Sequence, residues 1–114
     1  MKILVTGATG FIGSALIEYL TNFPDFSVVG MVRSVKDISC SSGVEFRLGE
    51  IGSENKSTMN LSDIDVIIHT AGRAHVMSDN SASPIDEFRR VNTHGTLDLA
   101  RLAGDSGVKR FIFL

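Results

Sequence analysis

A chain of 114 residues, 43% of them hydrophobic, supplies one domain with a single modest core and leaves no room for a second. A net charge of -2 with scattered Lys and Arg gives no basic stripe for a nucleic-acid backbone, and no apolar run reaches the ~18 residues of a membrane span, so both of those partners are excluded. The single cysteine, Cys40, has no disulfide partner and no His or Cys at metal-ligand spacing, which argues for a reducing cytoplasm and against a bound metal.

The first apolar run ends at Thr6-Gly7, too early for a secretory leader. Residues 2–6 are rich in apolar and β-branched side chains and close on glycine, the pattern of a buried parallel strand. A helix is predicted over residues 11–22, with Ile12, Ala15, Leu16, Tyr19 and Leu20 on its apolar face and Pro24 ending it. Apolar runs at residues 27–32, 44–48 and 66–69 read as three further strands, and the serine-rich crossovers at 34–43 and 53–61 carry little helix. A longer helix is expected from Ser83-Pro84, serine as N-cap and proline at the first helical position. Its buried stripe is Phe88, Val91, Asn92, Gly95, Leu99, Leu102 and Ala103, and Gly107 ends it before a fifth strand at residues 110–114. Alternating strands and helices with right-handed crossovers imply an α/β fold, a parallel sheet in the order 3-2-1-4-5 with flanking helices.

The strongest chemical signal is Thr6-Gly7-Ala8-Thr9-Gly10-Phe11-Ile12-Gly13, placed between a strand and a helix. Gly7 permits the tight turn, Gly10 lets backbone approach a pyrophosphate, and Gly13 lets the helix pack closely on the sheet. The free N–H groups and the positive end of the helix dipole then hold the anion. Asn92 sits on an apolar helix face, where an amide needs a hydrogen-bond partner; it anchors a strand end beside a cofactor or is satisfied locally. His69 reads as a satisfied histidine at a strand end, since nothing pairs it with a nucleophile or a metal.

These motifs resemble the extended short-chain dehydrogenase family, the nucleotide-sugar epimerases, dehydratases and reductases, over the whole chain. Thr6, Gly7, Gly10 and Gly13 match its Thr-Gly-x-x-Gly-x-x-Gly opening, His69-Thr70-Ala71-Gly72 its His-x-Ala-Gly segment, and Val91-Asn92-x-x-Gly95-Thr96 its helix signature. Gly107-Val108-Lys109-Arg110-Phe111 is similar to its approach to the fifth strand. The string Ala71-Gly72-Arg73-Ala74-His75-Val76 is most similar to a bacterial subgroup that handles UDP-N-acetylated sugars for surface polysaccharide.

The resemblance implies a Rossmann-type domain binding NAD or NADP. Its expected cofactor contacts are Gly7, Thr9, Gly10, Phe11, Ile12 and Gly13 on the turn, with Thr70, Ala71, Gly72 and Asn92 on the pyrophosphate and nicotinamide side. At the end of the second strand, Arg33 stands where an NAD-preferring domain carries an acidic residue, which favours NADP over NAD unless the guanidinium is simply solvated or stacks on adenine. Glu50 and Ile51, in Gly49-Glu50-Ile51, resemble the family's Gly-Asp-Leu turn beside adenine, with a longer acidic side chain.

The family's catalytic Tyr-x-x-x-Lys pair is missing: Tyr19 is the one tyrosine, and Phe23 stands four positions after it. The chain is therefore expected to be truncated after the fifth strand and to carry no catalytic residue, the nucleotide-sugar substrate belonging to a longer parent enzyme. A non-catalytic dinucleotide sensor or partner-binding module is the other reading. The apolar run Phe111-Ile112-Phe113-Leu114, left as a sheet edge, predicts a homo-oligomer.

Overall fold

The computed structural model describes residues 1–34, 36, 43–50, 59–70, 85 and 93–114. In chain order these form β1 (Lys2–Thr6), α1 (Phe11–Leu20), β2 (Ser27–Val32), β3 (Val44–Leu48), β4 (Val66–His69), α2 (Thr96–Asp105) and β5 (Arg110–Phe113). The strands make one parallel sheet in the order β3-β2-β1-β4-β5, the Rossmann-type order expected from the alternation of elements.

Strand residues alternate between the two faces of the sheet, so each face has its own core. Ile3, Val5, Val28 and Val32 pack against Ile17 and Leu20 of α1. On the opposite face Leu4, Val29 and Ile67 pack against Leu99 and Ala103 of α2, together with Leu61 and Ile64 from the segment before β4. Right-handed crossovers require this division, because the sheet grows from β1 in one direction through α1 and from β4 in the other through α2.

The apolar stripe expected on the first helix is corrected. Ile12, Ala15 and Tyr19 face outward, and the buried residues are Gly13, Ile17 and Leu20, with Leu16 half-buried. Apolar residues cover more than one side of this helix, so their spacing admits two rolls about the axis, and the close seat of Gly13 described below selects one. The helix also ends before Pro24 acts on it. Thr21 Oγ1 and Asn22 Nδ2 donate to the carbonyl of Glu18 at 2.8 and 3.3 Å, competing with the helical ladder at its last turn.

Gly95 at the N-cap of α2 and Leu99 and Ala103 within it are buried and Leu102 partly so, in agreement with the expected stripe. The helix start at Ser83-Pro84 and the stripe residues Phe88, Val91 and Asn92 lie outside the described residues. Gly107 ends the helix with φ 83, its N–H donating to Gly104 O at 3.3 Å while Val108 N–H donates to Ala103 O at 3.0 Å. This pair of bonds is a Schellman motif and sends the chain directly into β5. None of the described helices is long and apolar enough to cross a membrane.

At the amino end of β1 an ion network joins three parts of the chain. Asp63 accepts from Arg47 Nη1 and pairs with Lys2 Nζ, both at 2.9 Å, and Lys2 also pairs with Glu45 at 3.6 Å. Hydrogen bonds from Arg47 and then Lys2 hold the Asp63 carboxyl well below the usual carboxylate range. A lowered native pKa stabilises the fold in full above the unfolded value of about 3.9, and that contribution is lost progressively as the pH falls from there through the native pKa. Because the side chains are partly solvated, Asp63→Asn is expected to cost about 1 kcal/mol at pH 7 and progressively less as the pH falls below about 4, measured by denaturant unfolding across that range.

Candidate functional site

The carboxyl ends of the parallel strands form one rim of the molecule. At its centre the sheet reverses its direction of growth between β1 and β4, the place where α/β sheets open a crevice.

Immediately after β1, Gly7 turns the chain with φ 69, a left-handed conformation that glycine adopts without strain. Its carbonyl accepts the N–H of Gly10 at 3.0 Å, and Gly10 in extended conformation is the N-cap of α1. The start of that helix has no side-chain cap and no acidic residue in its first turn. The first intrahelical bond runs from Ser14 N–H to Gly10 O at 2.9 Å, and the N–H groups of Phe11, Ile12 and Gly13 have no acceptor among the described residues. Thr9, Gly10, Phe11 and Ile12 are exposed around them.

The two later glycines have different reasons. A Cβ on Gly13 would lie 2.0 Å from the Gly7 carbonyl oxygen, so the helix rests on that carbonyl with no room for a side chain. A Cβ on Gly10 would come no nearer than 3.3 Å to the same oxygen, so the fold nearly tolerates it, and what it would fill is the space in front of the turn.

One wall of the rim is the end of β4. Thr70 donates its N–H to Thr6 Oγ1 at 3.1 Å and its hydroxyl to the Thr6 carbonyl at 2.6 Å, fastening β4 to the last residue of β1. His69 is fully buried; its Nδ1 shares a 2.7 Å hydrogen bond with Thr6 Oγ1, and its Nε2 a 2.9 Å bond with Thr96 Oγ1 at the start of α2. Burial lowers its pKa and keeps the ring neutral, with the rings of Phe111 and Phe113 beside it at 5.9 and 5.7 Å. His69 is thus the satisfied histidine that the sequence suggests. Sequence reasoning missed Thr6 and Thr96 as its partners; the available signal was a hydroxyl at the first position of a helix covering that strand.

The other wall is the paired end of β2 and β3, where Gly49 N–H donates to Val32 O at 2.9 Å. This bond brings Arg33 and Glu50 to the same end of the sheet, both exposed, and Arg33 has no ion-pair partner among the described residues. Of the remaining expected contacts, Ile51, Ala71, Gly72 and Asn92 lie outside the described residues. No group of His, Cys, Asp or Glu suited to a metal occurs among the described residues.

A model of the NAD dependent epimerase/dehydratase family matches residues 3–114. The chain belongs to that family. A UDP-glucose 4-epimerase of Vibrio cholerae is 44% identical over 113 residues, covering 99% of this chain and 34% of the relative. A low-salt glycan biosynthesis protein of Haloferax volcanii is 32% identical, over 98% of this chain and 38% of its own length. Among solved structures, a UDP-glucuronic acid 4-epimerase of Bacillus cereus in complex with UDP-glucuronic acid and NAD superposes with a TM-score of 0.78 at 28% identity, over 99% of this chain and 39% of the other. This member of the epimerase/dehydratase family therefore spans about a third of the length of the curated relatives that it matches.

The unequal crowding of the two glycines is directly testable by thermal and denaturant unfolding. Gly13→Ala forces carbon against backbone oxygen and is expected to cost about 2 kcal/mol or more, as overpacked sites do. Gly10→Ala is expected to unfold within about 0.5 kcal/mol of the parent.

Proposed function

We propose that residues 1–114 form one dinucleotide-binding domain, the cofactor-holding part of a cytoplasmic epimerase, dehydratase or reductase that acts on a nucleotide sugar for surface polysaccharide. The observation that carries this reading is the uncapped amino end of α1, with three N–H groups unclaimed among the described residues and glycine in place of a side chain in front of them. These features fit a pyrophosphate: N–H donors, the positive helix end and the space at Gly10 coincide. The names of the V. cholerae and H. volcanii relatives, and the NAD and UDP-glucuronic acid bound in the B. cereus enzyme, support the same class of ligand and process.

In this reading Gly7, Thr9, Gly10, Phe11, Ile12 and Gly13 hold the pyrophosphate, and Thr70, Ala71, Gly72 and Asn92 line the nicotinamide side. Glu50 and Ile51 meet the adenine, and Arg33 binds the ribose 2′-phosphate of NADP. When bound, the dinucleotide supplies the hydride acceptor and donor. The chain's own residues bind and orient it, and they include no Tyr-x-x-x-Lys pair to move the substrate proton. Tyr19 does not replace it, being exposed on the outer side of α1 in the turn farthest from the glycines. The 114-residue chain accordingly binds a dinucleotide without turning over a nucleotide sugar.

Calorimetric titration with NAD and NADP tests both parts. Gly10→Val is expected to abolish binding of both while the chain stays folded, and unchanged binding would remove the pyrophosphate from the glycine turn. Arg33→Ala is expected to weaken NADP by about tenfold, the worth of one charge-assisted hydrogen bond, and to leave NAD nearly unchanged. Equal losses would assign Arg33 to stacking on adenine.

We also place a self-association surface on β5, the edge strand of the described sheet, where Ile112, Phe113 and Leu114 are exposed. Sedimentation of the 114-residue chain at high micromolar concentration is expected to show a dimer or larger assembly, and Phe113→Lys to dissolve it. A stable monomer would reject this surface.

A further inference from the structure

The buried polar side chains among the described residues are Thr6 and His69, both at 0% exposure, and they lie just behind the glycine turn rather than in its opening. A neutral imidazole has one donor and one acceptor nitrogen, so its bonds to Thr6 and Thr96 run in one direction through the ring, and neither hydroxyl can shift without disturbing the other. Thr6 is the last residue before Gly7, and its hydroxyl and carbonyl are both engaged by Thr70. Gly7 in turn offers the carbonyl that accepts Gly10 N–H and supports Gly13. A continuous series of short contacts therefore leads from the first residue of α2, on one face of the sheet, to the floor of the glycine turn and the start of α1 on the other.

We infer that His69 is a positioning residue for the glycine turn: it ties the place of Gly7 to the seat of α2 through Thr6 and Thr96. The ligand served by this positioning is the dinucleotide of the reading above, and the inference rests on that reading for the ligand alone. Thr96 thus acts on the anion site from the opposite face of the sheet, through the imidazole that bridges it to Thr6.

The test uses the 114-residue chain with Thr6→Val, Thr96→Val, the double variant and Thr96→Ser. Each is followed by hydrogen exchange at the Gly10 and Ser14 amides, which report the turn directly, and by calorimetric titration with NAD and NADP. Thr96→Val is expected to speed exchange at Gly10 and to weaken dinucleotide binding by about tenfold, Thr96→Ser to restore both, and the double variant to be no worse than Thr6→Val alone, because coupled sites are not additive. A Thr96→Val chain that melts lower but keeps parental exchange at Gly10 overturns the inference whatever its affinity, and so do additive effects in the double variant. If Thr6→Val does not fold, the comparison of Thr96→Val with Thr96→Ser decides alone. Exchange that responds in a chain binding neither dinucleotide would uphold the positioning role and remove the dinucleotide reading instead.

Discussion

Between the first turn of α1 and the carbonyl of Gly7 there is no space for even one side-chain carbon, and the arrangement of this half of the molecule follows from that contact. With Gly13 seated on the carbonyl, the roll of α1 is set, so Ile17 and Leu20 turn toward Ile3, Val5 and Val28 while Ile12 and Tyr19 turn away. The same seating points the first N–H groups of the helix along the carboxyl rim of the sheet. A helix held off by a methyl group would lose the packing of its inner side chains and the aim of its amino end together, because dispersion contacts weaken sharply over a fraction of an ångström.

The strand beneath that contact is fixed differently at its two ends. Lys2 begins β1 in a half-exposed ion network, whereas Thr6 ends it in a buried cluster of hydroxyls, carbonyl and imidazole. Between them Leu4 and Val5 are fully buried on opposite faces. The ion pairs are screened by solvent and contribute little each. The buried cluster matters more, since any member left without a partner would carry a desolvation cost of about 1–3 kcal/mol. The end of β1 that faces the candidate site is accordingly the more rigidly specified one.

Much of this architecture is legible in the sequence for identifiable reasons. The runs ending at Thr6, Val32, Leu48 and His69 are short, apolar and bounded by glycine or polar residues, and each is a strand where it was expected. Right-handed crossovers together with the doubly wound arrangement that the glycine turn marks then give the order of the sheet. The roll of α1 was misread because Gly13, which decides it, carries no hydropathic signal, whereas Ile12 and Tyr19 carry a strong one. The polar cluster was only half visible: Thr6 and His69 are 63 residues apart and His69 and Thr96 are 27 apart, distances at which local spacing carries no pairing information. Gly7 and Arg33 could be assigned to the rim since each follows directly from the end of a strand, and a strand's end is what periodicity locates well.

The bare amino end of α1 also makes the fold an incomplete one in a thermodynamic sense. Its start is capped neither by a side chain nor by an acidic residue. Any anion that settles there takes the place of the cap, and its binding energy is added to the stability of the chain. By mass action a ligand at a hundred times its dissociation constant contributes about 2.7 kcal/mol, a large share of the ~5–15 kcal/mol that holds a typical domain together. With such a ligand the population of folded molecules would follow its concentration in the surrounding medium, and its depletion would be felt as a shorter molecular lifetime.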